Sequence, residues 1–137
     1  MAARRHLLDT NVIAELLKAK PAPSVTVFLN SVADAWLSVM VFHELAYGID
    51  LCPDPIKQPR LWQFVDHLRT RFKHRTLPID LNVASAAGRL RAIAASKGLI
   101  LDPIDALMGA TAVNYDAVLV TRNAKVLQSL GIDIVNL

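Results

Sequence analysis

Cysteine occurs once in this chain, at Cys52, glutamate only twice, at Glu15 and Glu44, and no apolar run approaches the roughly 18 residues that a membrane span needs. A single cysteine cannot close an internal disulfide, which suits a reducing compartment, and Cys52 has no partners at metal-ligand spacing. Arg4-Arg5 is followed by Asp9 and Asn11 rather than by the unbroken apolar core of a signal peptide, so the expectation is a soluble, unexported, cytoplasmic protein. No repeat, low-complexity tract or long polar linker divides the chain. The Pro-rich stretch from Cys52 to Pro59 is the one clear interruption, and it is short. With 137 residues, 53% of them hydrophobic, the chain has the length and content of one domain with a well-filled core.

What the chain has instead of glutamate is aspartate. Ten of its acids are Asp, and because Glu ordinarily fills exposed helix faces, that split asks for a local reason for each acid. The net charge of +3 is mildly basic, enough to tolerate a polyanionic partner without demonstrating one.

The apolar pattern alternates between strand-like and helix-like segments. Arg5 to Leu8 and Trp36 to Val39 read as strands, Thr76 to Ile79 as a short edge strand, Ala117 to Thr121 as the clearest buried strand, and Asp133 to Val135 as the last. Helices are expected over Asn11 to Lys18, Ser24 to Ala33 and Met40 to Leu51. Another is marked by Leu61, Phe64, Val65, Leu68 and Phe72. Asp80 can cap a helix from Leu81 to Lys97 that ends at Gly98, and Asp102-Pro103 is a strong start signal for a helix reaching Tyr115. A short helix from Ala124 to Leu130 precedes Gly131. Such alternation implies an α/β fold, a mainly parallel sheet covered by helices on both faces.

In a parallel sheet, ligands gather beyond the carboxyl ends of the strands, and Asp9 follows the first strand directly. Taken alone, Asp9 or Thr10 could simply cap the next helix. Glu44 lies at the edge of an apolar stripe with Met40, Val41 and Gly48, where a carboxylate needs a cation, a metal or hydrogen bonds; a site role and a structural ion pair are both open. Glu15, beside Lys18 at i,i+3, reads as a solvated helix acid. Asp102 is explained by capping. Asp105, with Met108, Gly109 and Ala112 on its face, is either a dipole-favoured first-turn acid or a site residue. "VLVTRN" places Thr121, Arg122 and Asn123 at a strand's carboxyl end. Asp9, Glu44 and Asp105 thus fall at junctions on one edge of one sheet. Crowded carboxylates repel, and the usual remedy is a hard divalent cation such as Mg²⁺ or Mn²⁺, a centre suited to phosphate chemistry.

"LLDTNVIAEL", "LSVMVFHELAYGI", "DPIDALMGATA" and "VLVTRN", in this order, resemble the PIN-domain ribonucleases, particularly the VapC-type toxins of bacterial toxin-antitoxin pairs, over nearly the whole chain. The resemblance matches the family's first acid to Asp9, its Glu to Glu44, its helix-start acid to Asp105 and its fourth polar position to Asn123, with Thr10 and Thr121 as supporting hydroxyls. It implies a three-layer α/β/α fold, Mg²⁺- or Mn²⁺-dependent RNA cleavage, homodimerisation and inhibition by a small cognate antitoxin. Val41 stands where many relatives carry Thr, and Val126-Leu127 where many follow "TRN" with Asp-Phe. With Asn123 neutral, the resemblance implies one well-held metal, with a second only when substrate phosphate adds ligands.

Arg122, Lys18 and Lys20 are the residues expected to meet RNA. In "HLRTRFKHR", Leu68 and Phe72 read as core anchors, so its cations are expected to be a solvated face first and a phosphate contact second. His43 reads as a surface residue, and Trp36 and Trp62 as packing residues. A phosphatase of the haloacid-dehalogenase type needs a second acid two residues after the first; Asn11 stands there. A receiver domain would want Lys where Arg122 is. A retained but inactive PIN-like metal- or protein-binding module and a housekeeping RNA-processing nuclease are the alternatives to a toxin.

Overall fold

The computed structural model describes residues 4–137. In chain order the elements are β1 (Arg5–Leu8), α1 (Thr10–Glu15), α2 (Pro23–Ser31), β2 (Ala35–Ser38), α3 (Val39–Asp50), α4 (Lys57–Arg71), β3 (Thr76–Leu77), α5 (Leu81–Ser96), α6 (Pro103–Asn114), β4 (Ala117–Thr121), α7 (Lys125–Ser129) and β5 (Ile134–Asn136). The strands form one five-stranded sheet in the order β3-β2-β1-β4-β5, and every pairing is parallel. β1 is central. It pairs with β4 from Arg5–Ala117 to Leu8–Val120 and with β2 at His6–Ala35 and Leu7–Trp36.

Strands covered on both faces are apolar without alternation, and Leu7, Leu8, Leu119 and Val120 are all at most 1% exposed. α1, α3 and α4 pack together as one helical group and α5, α6 and α7 as another. Together with the sheet they make the expected three-layer α/β/α architecture, and β3 is the expected edge strand. No helix among the described residues is long and apolar enough to cross a membrane.

Local chemistry places the helix ends. Asp80 accepts from the Val83 N–H at 2.9 Å and Asp102 from the Ile104 N–H at 2.9 Å, each capping its helix. Gly98, at φ 71°, takes the left-handed conformation that closes α5. Leu68 and Phe72 are buried core members, as expected of anchors within the basic run.

Three helices differ from expectation. α2 ends at Ser31 rather than Ala33. α1 stops at Glu15 rather than Lys18: Leu16, Leu17 and Lys18 bond to carbonyls three residues back instead of four, a tightened last turn, and Pro21 then keeps Lys20 out of helical conformation. α4 starts at Lys57, upstream of Leu61, with Pro59 in its first turn, where the missing N–H has no helical partner to lose.

Candidate active site

Strand order reverses at β1, since β2 lies on one side of it and β4 on the other, and the crevice at such a switch point opens at the carboxyl ends of β1 and β4. Asp9 follows β1 and Thr121 ends β4. They are joined directly: the Thr121 hydroxyl donates to Asp9 Oδ2 at 2.8 Å, and the Asp9 N–H donates to the Val120 carbonyl at 2.8 Å. The other Asp9 oxygen, Oδ1, accepts the Thr10 N–H at 2.7 Å. Asp9 is therefore both the N-cap of α1 and a buried acid at the switch point, 6% exposed. The two local readings of this residue turn out to be compatible.

Glu44 arrives from β2. Ser38, fully buried at the end of that strand, caps α3 by accepting the Met40 N–H at 3.1 Å, and the helix then carries Glu44 in its second turn, on the margin of the buried Val41–Leu45–Ile49 stripe. Its Oε1 accepts the Thr10 hydroxyl at 2.6 Å. Asp105 arrives from α6, in the first turn behind the Asp102 cap, with Ala106, Met108 and Gly109 buried around it. Packing there is close: a Cβ on Gly109 would stand 2.8 Å from a Leu127 methyl.

These carboxylates feel one another. Burial raises the Asp9 carboxyl above the usual aspartate range against the opposing hydrogen bonds from Thr121 and Thr10. Burial likewise raises Glu44, with the Asp9 charge adding to it. Asp105 is pushed up to about 6, first by burial and then by the charges of Asp9, Asp102 and Glu44. Among the described residues, Lys and Arg form salt bridges only with Glu15, Asp116 and Asp133 and with none of these three acids. Hard oxygen donors in a desolvated, mutually repelling set fit a divalent cation. The fit is electrostatic: among the described residues no three His, Cys, Asp or Glu side chains form a ready-made coordination cage.

α1 contributes to two concavities, the first of which takes in Glu44. One, of about 510 Å³, is lined by Thr10, Leu17, Glu44, Leu45, Ile49 and Leu61 among others; the second, of about 350 Å³, by Asn11, Ala14, Glu15, Lys18, Arg122 and Asn123. Lys18 borders both, whereas Lys20 is exposed and lines neither. A roomier concavity of about 680 Å³, around Asp80, Arg89 and Tyr115, lies near the amino end of β4, on the opposite edge of the sheet from the carboxylates. Asn123 is exposed; its backbone N–H donates to the Thr121 hydroxyl oxygen at 3.1 Å. His43 is exposed, and Trp36 and Trp62 pack against the core, as expected.

Glu15 corrects the sequence expectation. It is 4% exposed, not solvated, because its carboxylate is turned inward to the Ala22 N–H at 2.9 Å and the Arg122 guanidinium at 2.7 Å as well as to Lys18 at 2.8 Å. Asn11, noted in the sequence only for what it excludes, is a second structural member of the site. It accepts the Arg122 N–H at 3.1 Å and donates to the Thr121 hydroxyl oxygen at 3.1 Å. The available signal was their spacing, four residues apart on one face of α1.

The PIN domain model matches residues 6–131 of this chain. A VapC ribonuclease, Y4jK, of Sinorhizobium fredii is 30% identical over 134 residues, 95% of each chain. The toxin FitB of Neisseria gonorrhoeae is 32% identical over 120 residues, 85% of this chain and 86% of that one. Among solved structures, FitAcB from Neisseria gonorrhoeae superposes with a TM-score of 0.89 at 29% identity, covering 96% of both chains. DNA-bound VapBC from Salmonella typhimurium gives 0.80 at 27%, covering 98% of both.

Proposed function

Because this chain belongs to the PIN-domain family, with VapC- and FitB-type toxins as its relatives, we propose that it is a metal-dependent endoribonuclease, the toxin of a toxin-antitoxin pair. The observation that carries the reading is the cluster itself. Asp9, Glu44 and Asp105 converge from three elements on the switch-point edge, and each is raised by burial without a Lys or Arg bridge among the described residues.

Asp9, Glu44 and Asp105 would hold Mg²⁺ or Mn²⁺, which when bound supplies charge neutralisation at the scissile phosphate and an activated water for phosphodiester hydrolysis. Asn123 is the proposed fourth, neutral contributor. Thr121 and the Thr10 N–H fix both oxygens of Asp9, so this acid is preorganised. Glu44 is tethered through one oxygen to Thr10, and its longer stem makes it the member that adjusts. Lys18, which shares a concavity with Glu44, and Arg122, one residue past Thr121, are the proposed cations for the RNA backbone, and Lys20 is a more remote one. The proposed assembly is a cytoplasmic homodimer held inactive by a cognate small antitoxin.

The test is cleavage of RNA by purified protein with Mg²⁺ or Mn²⁺, abolished by chelator and by Asp9→Ala, Glu44→Ala and Asp105→Ala variants that remain folded. Cleavage indifferent to all three changes overturns the mechanism. Toxicity on expression, relieved by a small neighbouring reading frame, separates a toxin from a housekeeping nuclease.

A further inference from the structure

Glu15 has no part in the carboxylate cluster, yet its side chain is as well covered from solvent as that of Asp9, at 4% exposure against 6%. A buried anion is tolerated only when it is paired. Its partners are specific: Oε1 takes the Ala22 N–H at 2.9 Å, which closes the turn after α1, and Oε2 takes Arg122 Nη1 at 2.7 Å and Lys18 Nζ at 2.8 Å. Lys18, then the Ala22 N–H, hold its carboxyl below the usual glutamate range.

The Arg122 end of this contact is held twice. Its backbone N–H donates to Asn11 Oδ1 at 3.1 Å while its guanidinium reaches Glu15, so two residues one helical turn apart on α1 grip the loop after β4 at main chain and side chain together. The same loop begins at Thr121, whose hydroxyl donates to Asp9. A guanidinium carries five N–H donors in a rigid fork. Glu15 occupies Nη1, no other acceptor among the described residues takes the rest, and the side chain remains 34% exposed. A long, flexible cation is thereby fixed in place with donors to spare, on the wall of the 350 Å³ concavity and on the loop whose first residue, Thr121, bonds Asp9.

We propose that Glu15 is a positioning residue, which fixes the Arg122 guanidinium on the loop that Thr121 ties to Asp9, so that its free donors grip a backbone phosphate of single-stranded RNA. This rests on the ribonuclease reading above and assigns the substrate a second, metal-independent hold. The role carries an unusual sign. Removing an acid from a nucleic-acid-binding surface ordinarily strengthens binding, because net positive charge rises. Removing Glu15 weakens it, because the arginine is released from its pose and must be ordered at the moment of binding.

The experiment measures binding of a short single-stranded RNA oligonucleotide in chelator, across a range of salt concentrations, with thermal melting in parallel. Glu15→Gln is expected to weaken binding about tenfold, the scale of one charge-assisted contact, and to flatten the log-log salt slope by about 0.7. Arg122→Ala is expected to do the same, and the double variant no more than Arg122→Ala alone, since the two residues act as one unit. Glu15→Asp, which keeps the charge and shortens the reach, is expected to weaken binding at unchanged net charge, and it decides the matter if Glu15→Gln does not fold. Tighter or unchanged binding in Glu15→Gln, wild-type affinity in Glu15→Asp, or penalties that add in the double variant overturn the proposal. Wild-type cleavage in Mg²⁺ alongside a tight-binding Glu15→Gln removes the positioning role alone. No wild-type cleavage removes the ribonuclease reading and this role with it.

Discussion

Thr10 holds Asp9 and Glu44 at once: its backbone N–H donates to Asp9 Oδ1 at 2.7 Å while its hydroxyl donates to Glu44 Oε1 at 2.6 Å. One residue at the start of α1 therefore sets the relation between an acid from β1 and an acid from α3, using main chain for the first and side chain for the second. Thr10→Val keeps the shape and the backbone donor but removes the hydroxyl. Glu44 then loses its tether while Asp9 keeps its own. The expected result is a folded protein with Mn²⁺ affinity and RNA cleavage reduced about 10- to 100-fold, the range for a ligand that has lost its orienting partner. Metal titration by calorimetry checks it, and wild-type affinity would make Thr10 merely a helix residue.

Asp9→Asn, Glu44→Gln and Asp105→Asn keep volume while removing charge. Each is expected to lower cleavage by about a hundredfold or more, with far-ultraviolet circular dichroism unchanged. Asp9→Asn is the severest of the three in expectation, because both of its oxygens are already held by donors: an amide nitrogen facing the Thr10 N–H would put donor against donor, and one facing Thr121 would meet a hydroxyl oxygen that already accepts from Asn11 and Asn123.

The strands and caps were legible because their causes are local. Leu7-Leu8 and Leu119-Val120 are apolar without alternation, Asp80 and Asp102-Pro103 carry their own start signals, and the element ends fell within a few residues of expectation. Asp9 and Glu44 were legible through topology, since a parallel sheet forces the residues after its strands onto one edge, whereas Asp105 follows α5 rather than a strand and reaches that edge through the α5–α6 hairpin. Glu15 was not. Its nearest charged neighbour in sequence is Lys18, which accounts for a solvated pair, whereas the contact that buries it comes from Arg122, 107 positions away, brought close only when β4 pairs with β1. Asn11 was missed for the same reason, because its partners Thr121 and Arg122 are equally distant in the chain.

The metal-free protein is expected to lose stability as pH rises. Asp105 titrates at about 6 in the folded chain, above the usual aspartate value of an unfolded one, so between the two the folded state keeps a proton that the unfolded state has released. Stability contributed by this group therefore falls through that window and stays low above it. Asp105→Asn relieves the cost. For a half-buried acid screened by solvent the gain is about 1 kcal/mol, a melting temperature a few degrees above wild type at pH 8 in chelator. The difference closes as pH falls towards 4, and saturating Mn²⁺ at pH 8 reverses the order, because only the wild-type acid gains from the cation. Calorimetric melting at both pH values, with and without metal, tests the sign.

Asp102 has two effects that one pair of variants separates. Its carboxylate caps α6 through the Ile104 N–H at 2.9 Å, and its charge helps raise Asp105 and Glu44. Asn is as good an N-cap as Asp, so Asp102→Asn preserves the helix start and removes only the charge, whereas Asp102→Ala removes both and is expected to cost about 1 kcal/mol of stability. With a neighbouring negative charge gone, the ionised form of Asp105 is easier to make and its titration moves to lower pH. Carboxyl-carbon NMR of the metal-free protein should therefore show a downward shift for Asp105 in both variants, with the melting temperature lowered only in Asp102→Ala. An Asp105 titration left in place by Asp102→Asn would mean that the Asp102 charge is not among those that raise it, leaving burial and the Asp9 and Glu44 charges.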